Sequence, residues 1–403
     1  MLLKFLQWLE SGEKTPRDLL DLCLRRIAEL DGGIRAWVPA SMKVAPQPPL
    51  DSGPLSGIPF GAKDTFETRG MATEYGSALY SGRQSDCDAA VIADLRNAGA
   101  VLLGKTHTTA FASFEPAPTR NPKLPGHTPG GSSSGSAAAV AAGMVPFALG
   151  TQTMGSVLRP ASYCGVCGFK PGFGLISMDG VLPFAPSLDT VGLFTETAAD
   201  MAELWTRGFG GRVHTELRRA AFLPLPADEP MARAAMDTVE RLRAAGMAVD
   251  VVDVPEGWER LLSAARTIHD YEGARTHRAR LEEFGERIGV RLAELVRRGL
   301  AISDLEYDDA RGWVDHMKGV LHAMFWEWAA IFSPAATGIA PQGFESTGDP
   351  SNNAPWTALG VPAISVPLPG ACPMGLQIAA AWGRDDALLA VAQISDLRTS
   401  FLV

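Results

Sequence analysis

Along this chain, stretches with apolar residues at helical spacing alternate with short continuous apolar runs. Thr15 and Pro16 read as an N-cap followed by a proline in the first turn, and Asp18 adds an acidic charge there. Leu20, Leu24, Ile27 and Leu30 then recur at helical spacing, which predicts a first helix packed on the body of the molecule. Residues 88–98 form a helical pattern closed by Gly99, and 100–103 follow as a buried strand. Residues 133–142 make a helix of small residues closed by Gly143, and 145–149 are another apolar run. Strands are predicted at 220–223, 248–252, 363–366 and 375–380, and helices at 231–245 and 385–394. Residues 255–330, rich in Arg, Glu, Leu and Ala, read as mainly helical, and the Pro-rich stretch 44–54 reads as a connector. Alternation of this kind predicts an α/β fold with a central sheet covered by helices.

Composition narrows the class. Of 403 residues, 46% are hydrophobic and 20% charged, the balance of a globular chain with a large core. The length allows one large domain or two of ordinary size. The net charge of -9 is spread without acidic blocks, which argues for solubility and against a nucleic-acid groove, because such a groove needs a basic stripe. The best apolar run, 137–149, is too short to span a bilayer and is interrupted by Gly143 and Pro146. Near the N-terminus Lys4 and Glu10 bound a short apolar run with no small-residue cleavage site, so a cytoplasmic location is expected. Five cysteines, an odd number, argue against a secreted disulfide framework. Cys164 and Cys167 form a C-x-x-C without a second pair at zinc-ligand spacing, and both read as small buried hydrophobes. The H-E-x-x-H type of spacing does not occur either, so neither metal nor cofactor is expected.

The stretch that carries chemistry runs from 126 to 171. Two Gly-Ser clusters stand at Gly131-Ser132 and Gly155-Ser156, each at a junction between loop and regular structure. Glycines there let a ligand approach main-chain N–H groups, which can stabilise an oxyanion. A flexible linker does not fit, because AAAVAA follows directly and should pack tightly. A phosphate cradle does not fit, because the G-x-x-x-x-G-K-[ST] pattern is missing. Gly131 to Gly135 matches the G-x-S-x-G nucleophile elbow, but that motif needs a strand before it, and Pro122, Pro125 and Pro129 precede it here.

The segment from Gly130 to Pro160 resembles the diagnostic pattern of the amidase signature family, down to the spacing of its two serines. Gly57-Ile58-Pro59-Phe60-Gly61-Ala62-Lys63-Asp64 is similar to the block that carries the family's lysine. Gly104-Lys105-Thr106 with Phe111-Ala112, Cys164-Gly165-Val166, Gly168-Phe169-Lys170-Pro171, Gly348-Asp349-Pro350 and Gly360-Val361-Pro362-Ala363 resemble further family blocks, in order. The resemblance implies one large domain over 1–403, with a mixed central sheet covered by helices on both faces. Its core blocks would be 55–200 and 331–397, and 205–330 a variable, mainly helical region on the substrate side.

For the chemistry, the resemblance implies a Ser-cisSer-Lys triad: Ser156 as nucleophile, Ser132 as proton relay after a cis peptide, and Lys63 as base. A serine hydroxyl needs a base to attack, and lysine serves only when neutral, so Lys63 must be buried to lower its pKa. The family's oxyanion hole maps onto the main chain of Thr153, Met154 and Gly155. Met154 stands where most members have glycine, and Gln152 where an acidic residue is common. Arg159, with Gly131 and Thr151, is expected to bind substrate. Its place three residues after the nucleophile is similar to malonamidase-like members, in which arginine takes the free carboxylate of a short monoamide as a bidentate fork. The competing role for Arg159 is a structural ion pair. His107 and His127 lie near these blocks, and His107 reads as a packing residue. The function implied is hydrolysis of a small, carboxylate-bearing amide (malonamate-like or a ureido acid) through an acyl-Ser156 intermediate, with release of ammonia and, in the family's manner, a homodimer. The alternatives are the A-type glutaminase component of a tRNA-dependent amidotransferase and a non-catalytic binding protein.

Overall fold

The computed structural model describes residues 1–46, 52–214 and 219–396. Residues 47–51 of the expected connector and residue 397, where the second core block was expected to end, lie outside them. Ten strands form one sheet: β1 (Pro59–Lys63), β2 (Val101–Thr106), β3 (Phe147–Gln152), β4 (Cys167–Lys170), β5 (Thr190–Thr195), β6 (Arg219–Phe222), β7 (Ala248–Val251), β8 (Ala330–Pro334), β9 (Ala363–Pro367) and β10 (Gly375–Ala379). Their order is β2-β1-β3-β5-β4-β9-β10-β8-β6-β7. Both ends of the sheet are parallel, and the pairs from β3 to β8 through the middle are antiparallel. The chain is a single α/β domain with a mixed sheet.

Alternation along the strands shows where the core sits. Ala220 and Phe222, Ala330 and Phe332, Ile364 and Val366, and Leu376 and Ile378 join one apolar cluster. Ala221, Ile331, Ala363 and Ala379, one step out of phase, join the other. Successive side chains of a strand point to opposite faces, so each face carries its own core. The first is covered by α1 (Leu2–Glu10), α2 (Pro16–Ile34), α3 (Ala90–Asn97), α4 (Ser134–Ala141) and α6 (Ala198–Phe209), with α7 (Glu229–Ala244) and α12 (Asp385–Ser395). The second is covered by α8 (Trp258–Phe284), α9 (Val290–Leu300), α10 (Asp304–Glu327) and the short α11 (Ala354–Ala358). The remaining helix, α5 (Leu158–Cys164), is buried along its whole length. Among the described residues no helix is long and apolar enough to cross a membrane.

Most elements lie where the pattern predicts them, with informative differences. Thr15 caps α2 in a full capping box with Asp18, yet the residues the helix buries are Leu19, Cys23 and Ile27, while Leu20, Leu24 and Leu30 are half-buried. The apolar stripe is turned by one residue from the predicted one, because Cys23 counts as apolar once buried. Strand β1 is absent from the predicted elements, since Pro59 and Gly61 weaken a strand reading. Proline is tolerated as the first residue of a strand, and at Gly61 a Cβ would sit 2.9 Å from Trp37 Cη2, so the position requires glycine. Cys164 and Cys167 are buried as expected.

Candidate active site

The candidate residues gather where β1 and β3 end. These neighbours run parallel, with Ala62 opposite Leu149, so both carry their chains to the same side, the carboxyl end where α/β sheets hold ligands. Lys63 is the last residue of β1 and has no exposed surface. Its Nζ lies 2.7 Å from Ser132 Oγ and 2.7 Å from Thr151 Oγ1. Burial pushes its ammonium down to about 7 from the ordinary 10.5, with Asp189 pulling the other way.

The two Gly-Ser clusters meet. Ser132 leads into α4 after a cis Gly131–Ser132 peptide. The N–H of Ser133 reaches the Ser156 carbonyl at 3.4 Å. The Ser133 hydroxyl donates to the Thr151 carbonyl at 3.2 Å. Ser132 and Ser156 line one cleft with Thr153, Met154, Arg159 and a residue sequence reasoning missed, His269 of α8. The cleft is narrow, about 20 Å³, close to the space one water occupies.

Side chains hold the loop between β3 and α5 on either side of Ser156. Gln152 Oε1 accepts the N–H groups of Val157 and Leu158 at 2.8 and 3.0 Å, and its Nε2 donates to Thr357 Oγ1 at 2.9 Å. The Thr357 hydroxyl in turn lies 3.0 Å from the Met154 carbonyl. A side-chain amide therefore holds the N–H groups at the start of the helix after Ser156. Thr153 donates its hydroxyl to Asp189 at 2.6 Å, and the other Asp189 oxygen accepts the N–H groups of Phe184 and Ala185. Burial pushes the Asp189 carboxyl up to about 6 against the pull of those donors. Met154 is not among the residues with positive φ, so its backbone does not need glycine, and its buried side chain forms part of the cleft wall. Gly155 is needed for a different reason, since a Cβ there would lie 2.6 Å from Asn353 Oδ1.

Arg159 is 3% exposed. Its Nη2 donates to the Gly131 carbonyl at 2.8 Å and to Thr347 Oγ1 at 3.2 Å. Nε and Nη1 are buried without an acceptor, and no carboxylate forms an ion pair with it among the described residues. Burial draws its pKa down, and Tyr163 and Asp349 oppose this. Gly131 contributes its carbonyl to Arg159, and Thr151 its hydroxyl to Lys63. Neither is part of the cleft wall. His107 and His127 also stand away from it: burial pushes the His107 ring down to about 4, and His127 Nδ1 meets the Pro125 carbonyl at 3.1 Å. No motif marks His269 or Asp189; one lies in plain helical text and the other in a loop between strands.

Comparison with known proteins fits this geometry. A family model described as Amidase matches residues 18–210. The A-type component of the glutamyl-tRNA(Gln) amidotransferase of Exiguobacterium sp. (strain ATCC BAA-1283 / AT1b) is 31% identical over 95% of this chain and 94% of its own length. The protein of the same name from Aromatoleum aromaticum is 40% identical, but the match spans 60% of this chain and only 54% of that protein. A solved structure described as the crystal structure of an amidase superposes with a TM-score of 0.88 at 28% identity, covering 98% of this chain and 99% of the other.

Proposed function

The chain belongs to the amidase signature family, and on that premise we propose that it hydrolyses a short, carboxylate-bearing amide through an acyl-Ser156 intermediate. Lys63, neutral, accepts the Ser132 proton across the 2.7 Å contact while Ser132 accepts the proton of Ser156. The Ser156 oxygen bonds to the amide carbon, and the main-chain N–H groups of Thr153, Met154 and Gly155 receive the developing oxyanion. The proton returns through Ser132 to the nitrogen, the C–N bond breaks, and ammonia leaves. Water then attacks the acyl carbon by the same proton path, and Ser156 recovers its hydroxyl.

One observation carries the substrate class: a buried guanidinium in the wall of the nucleophile's cleft with two donor nitrogens unpartnered. A buried charge of that kind calls for an anion, and a carboxylate matches its planar fork. Gly131 supports the reading by orienting Arg159 through its carbonyl, and Thr151 by helping to hold Lys63. The test is ammonia release from short monoamides, ureido acids, neutral amides and glutamine, with Ser156→Ala as the blank. Arg159→Ala should raise KM for the carboxylate amides about 10- to 100-fold, the loss of one or two hydrogen bonds to charge at ~1.5–3 kcal/mol, while sparing neutral amides. Equal losses on both would sink it. The name carried by the full-length relatives favours a second reading, an amidotransferase glutaminase. Glutamine hydrolysis appearing only with a co-purified larger partner would select it.

A further inference from the structure

Resting on the amide-hydrolysis reading, we propose that His269, with the Ser113 hydroxyl, forms a subsite that accepts the N–H groups of the scissile amide, and that these residues rather than the triad favour an amide over an ester.

The polar groups of a short carboxylate amide are few. Its carboxylate is matched by Arg159 and its carbonyl oxygen by the loop before Ser156. The amide NH2 remains, with two hydrogens and a need for acceptors once the narrow cleft has excluded water. Two side chains in that wall can offer an acceptor. The Ser113 oxygen is buried with no hydrogen-bond partner. The other is the ring of His269, itself 6% exposed.

The ring is fixed on three sides. Its Nδ1 meets Asp270 Oδ1 at 2.9 Å, Phe184 stacks on its face with centroids 4.7 Å apart, and Phe114 meets it edge-on at 5.8 Å. Asp270 is also bound by Arg298 Nε at 2.8 Å. Although burial pushes the Asp270 carboxyl up, the bonds from His269 and Arg298 outweigh it and hold the group below its ordinary range. An ionised carboxylate only accepts, so Nδ1 carries the hydrogen. That leaves Nε2 as the ring nitrogen for the cleft, the acceptor of the proposed subsite. The residue that stacks on the ring is also tied to the nucleophile's loop. Asp189 holds the Phe184 N–H at 2.7 Å with one oxygen and the Thr153 hydroxyl at 2.6 Å with the other. One carboxylate thus ties the shelf under His269 to the loop before Ser156.

An ester removes the N–H and keeps the rest. The experiment takes the best amide of the ammonia-release screen and the methyl ester of the same acid, and measures kcat/KM for both. His269→Phe keeps the stacking ring and should lower the amide-to-ester ratio about tenfold, near the upper end for one hydrogen bond. His269→Gln, which can offer an oxygen where Nε2 stood, should restore most of it, and Ser113→Ala should lower it severalfold. Fluorophosphonate labelling of Ser156, which uses no substrate N–H, reports whether the nucleophile is intact in each variant. If amide and ester fall together in His269→Phe and Ser113→Ala, the subsite does not exist. If His269→Phe does not fold, an unchanged ratio in Ser113→Ala and His269→Leu overturns it equally. A wild-type enzyme that prefers neutral amides removes the carboxylate reading alone, because the ratio still judges His269. One that hydrolyses no amide removes both.

Discussion

A lysine with no exposed surface and two hydroxyls at 2.7 Å is better suited to be a base than a cation. Its pKa near 7 gives the direction of the pH dependence. Below that value Lys63 holds its proton and cannot take one from Ser132. The rate should therefore climb tenfold per pH unit up to about 7 and level off above, whereas an ordinary lysine at 10.5 would still be gaining at pH 9. A pH–rate profile of kcat/KM checks this, and a limb above pH 9 would show a base that titrates as an ordinary lysine rather than a buried one. At this scale the sequence was legible where chemistry imposes a local pattern. Lys63, Ser132, Ser156 and Arg159 stand in blocks whose glycines and spacing mark them. His269, Ser113 and Asp189 were not legible, because each meets the cleft only through tertiary packing. One of two histidines in a 27-residue helix, His269 has no neighbours in the sequence that set it apart from a packing residue.

At the level of elements, the junction between β3 and α5 depends on one amide. Gln152 takes two N–H groups from the first turn of α5, so Gln152→Ala should cost about 1 kcal/mol of stability, the usual size of a lost helix cap. It should lower kcat more than it raises KM, because the Met154 carbonyl is held through Thr357, the partner of that same amide. Thermal denaturation with steady-state kinetics checks both, and a pure KM effect would show that the loop does not depend on the cap. Elements with strong periodicity or a glycine stop, such as α4 and β9, were readable in advance. Strand β1 was not, because its glycine is required by the indole of Trp37 pressing on it, a contact the sequence does not announce. The antiparallel middle of the sheet was equally hidden, since β4 pairs with β9 across nearly two hundred residues.

Seen whole, the sheet is two halves laid side by side. Strands β1 to β5 fill one end, strands β6 to β10 the other, and β4 against β9 is the seam. The candidate triad belongs to the first half. Thr347 and Thr357, which hold Arg159 and Gln152, come with the second, and His269 reaches in from α8 on the helical face. The seam has a consequence for the making of the protein. A ribosome finishes Lys63, Ser132 and Ser156 well before it adds β9, so the emerging chain holds a nucleophile whose loop still lacks its far anchors and whose β4 edge has no neighbour. Chains halted after residue 346 should label at Ser156 with a fluorophosphonate at less than about a tenth of the full-length rate, the loss expected from a misplaced catalytic loop. Labelling at the full rate would show that the first half stands alone. On this arrangement the order of synthesis itself would act as a safety catch, with hydrolysis beginning only once the last strands dock.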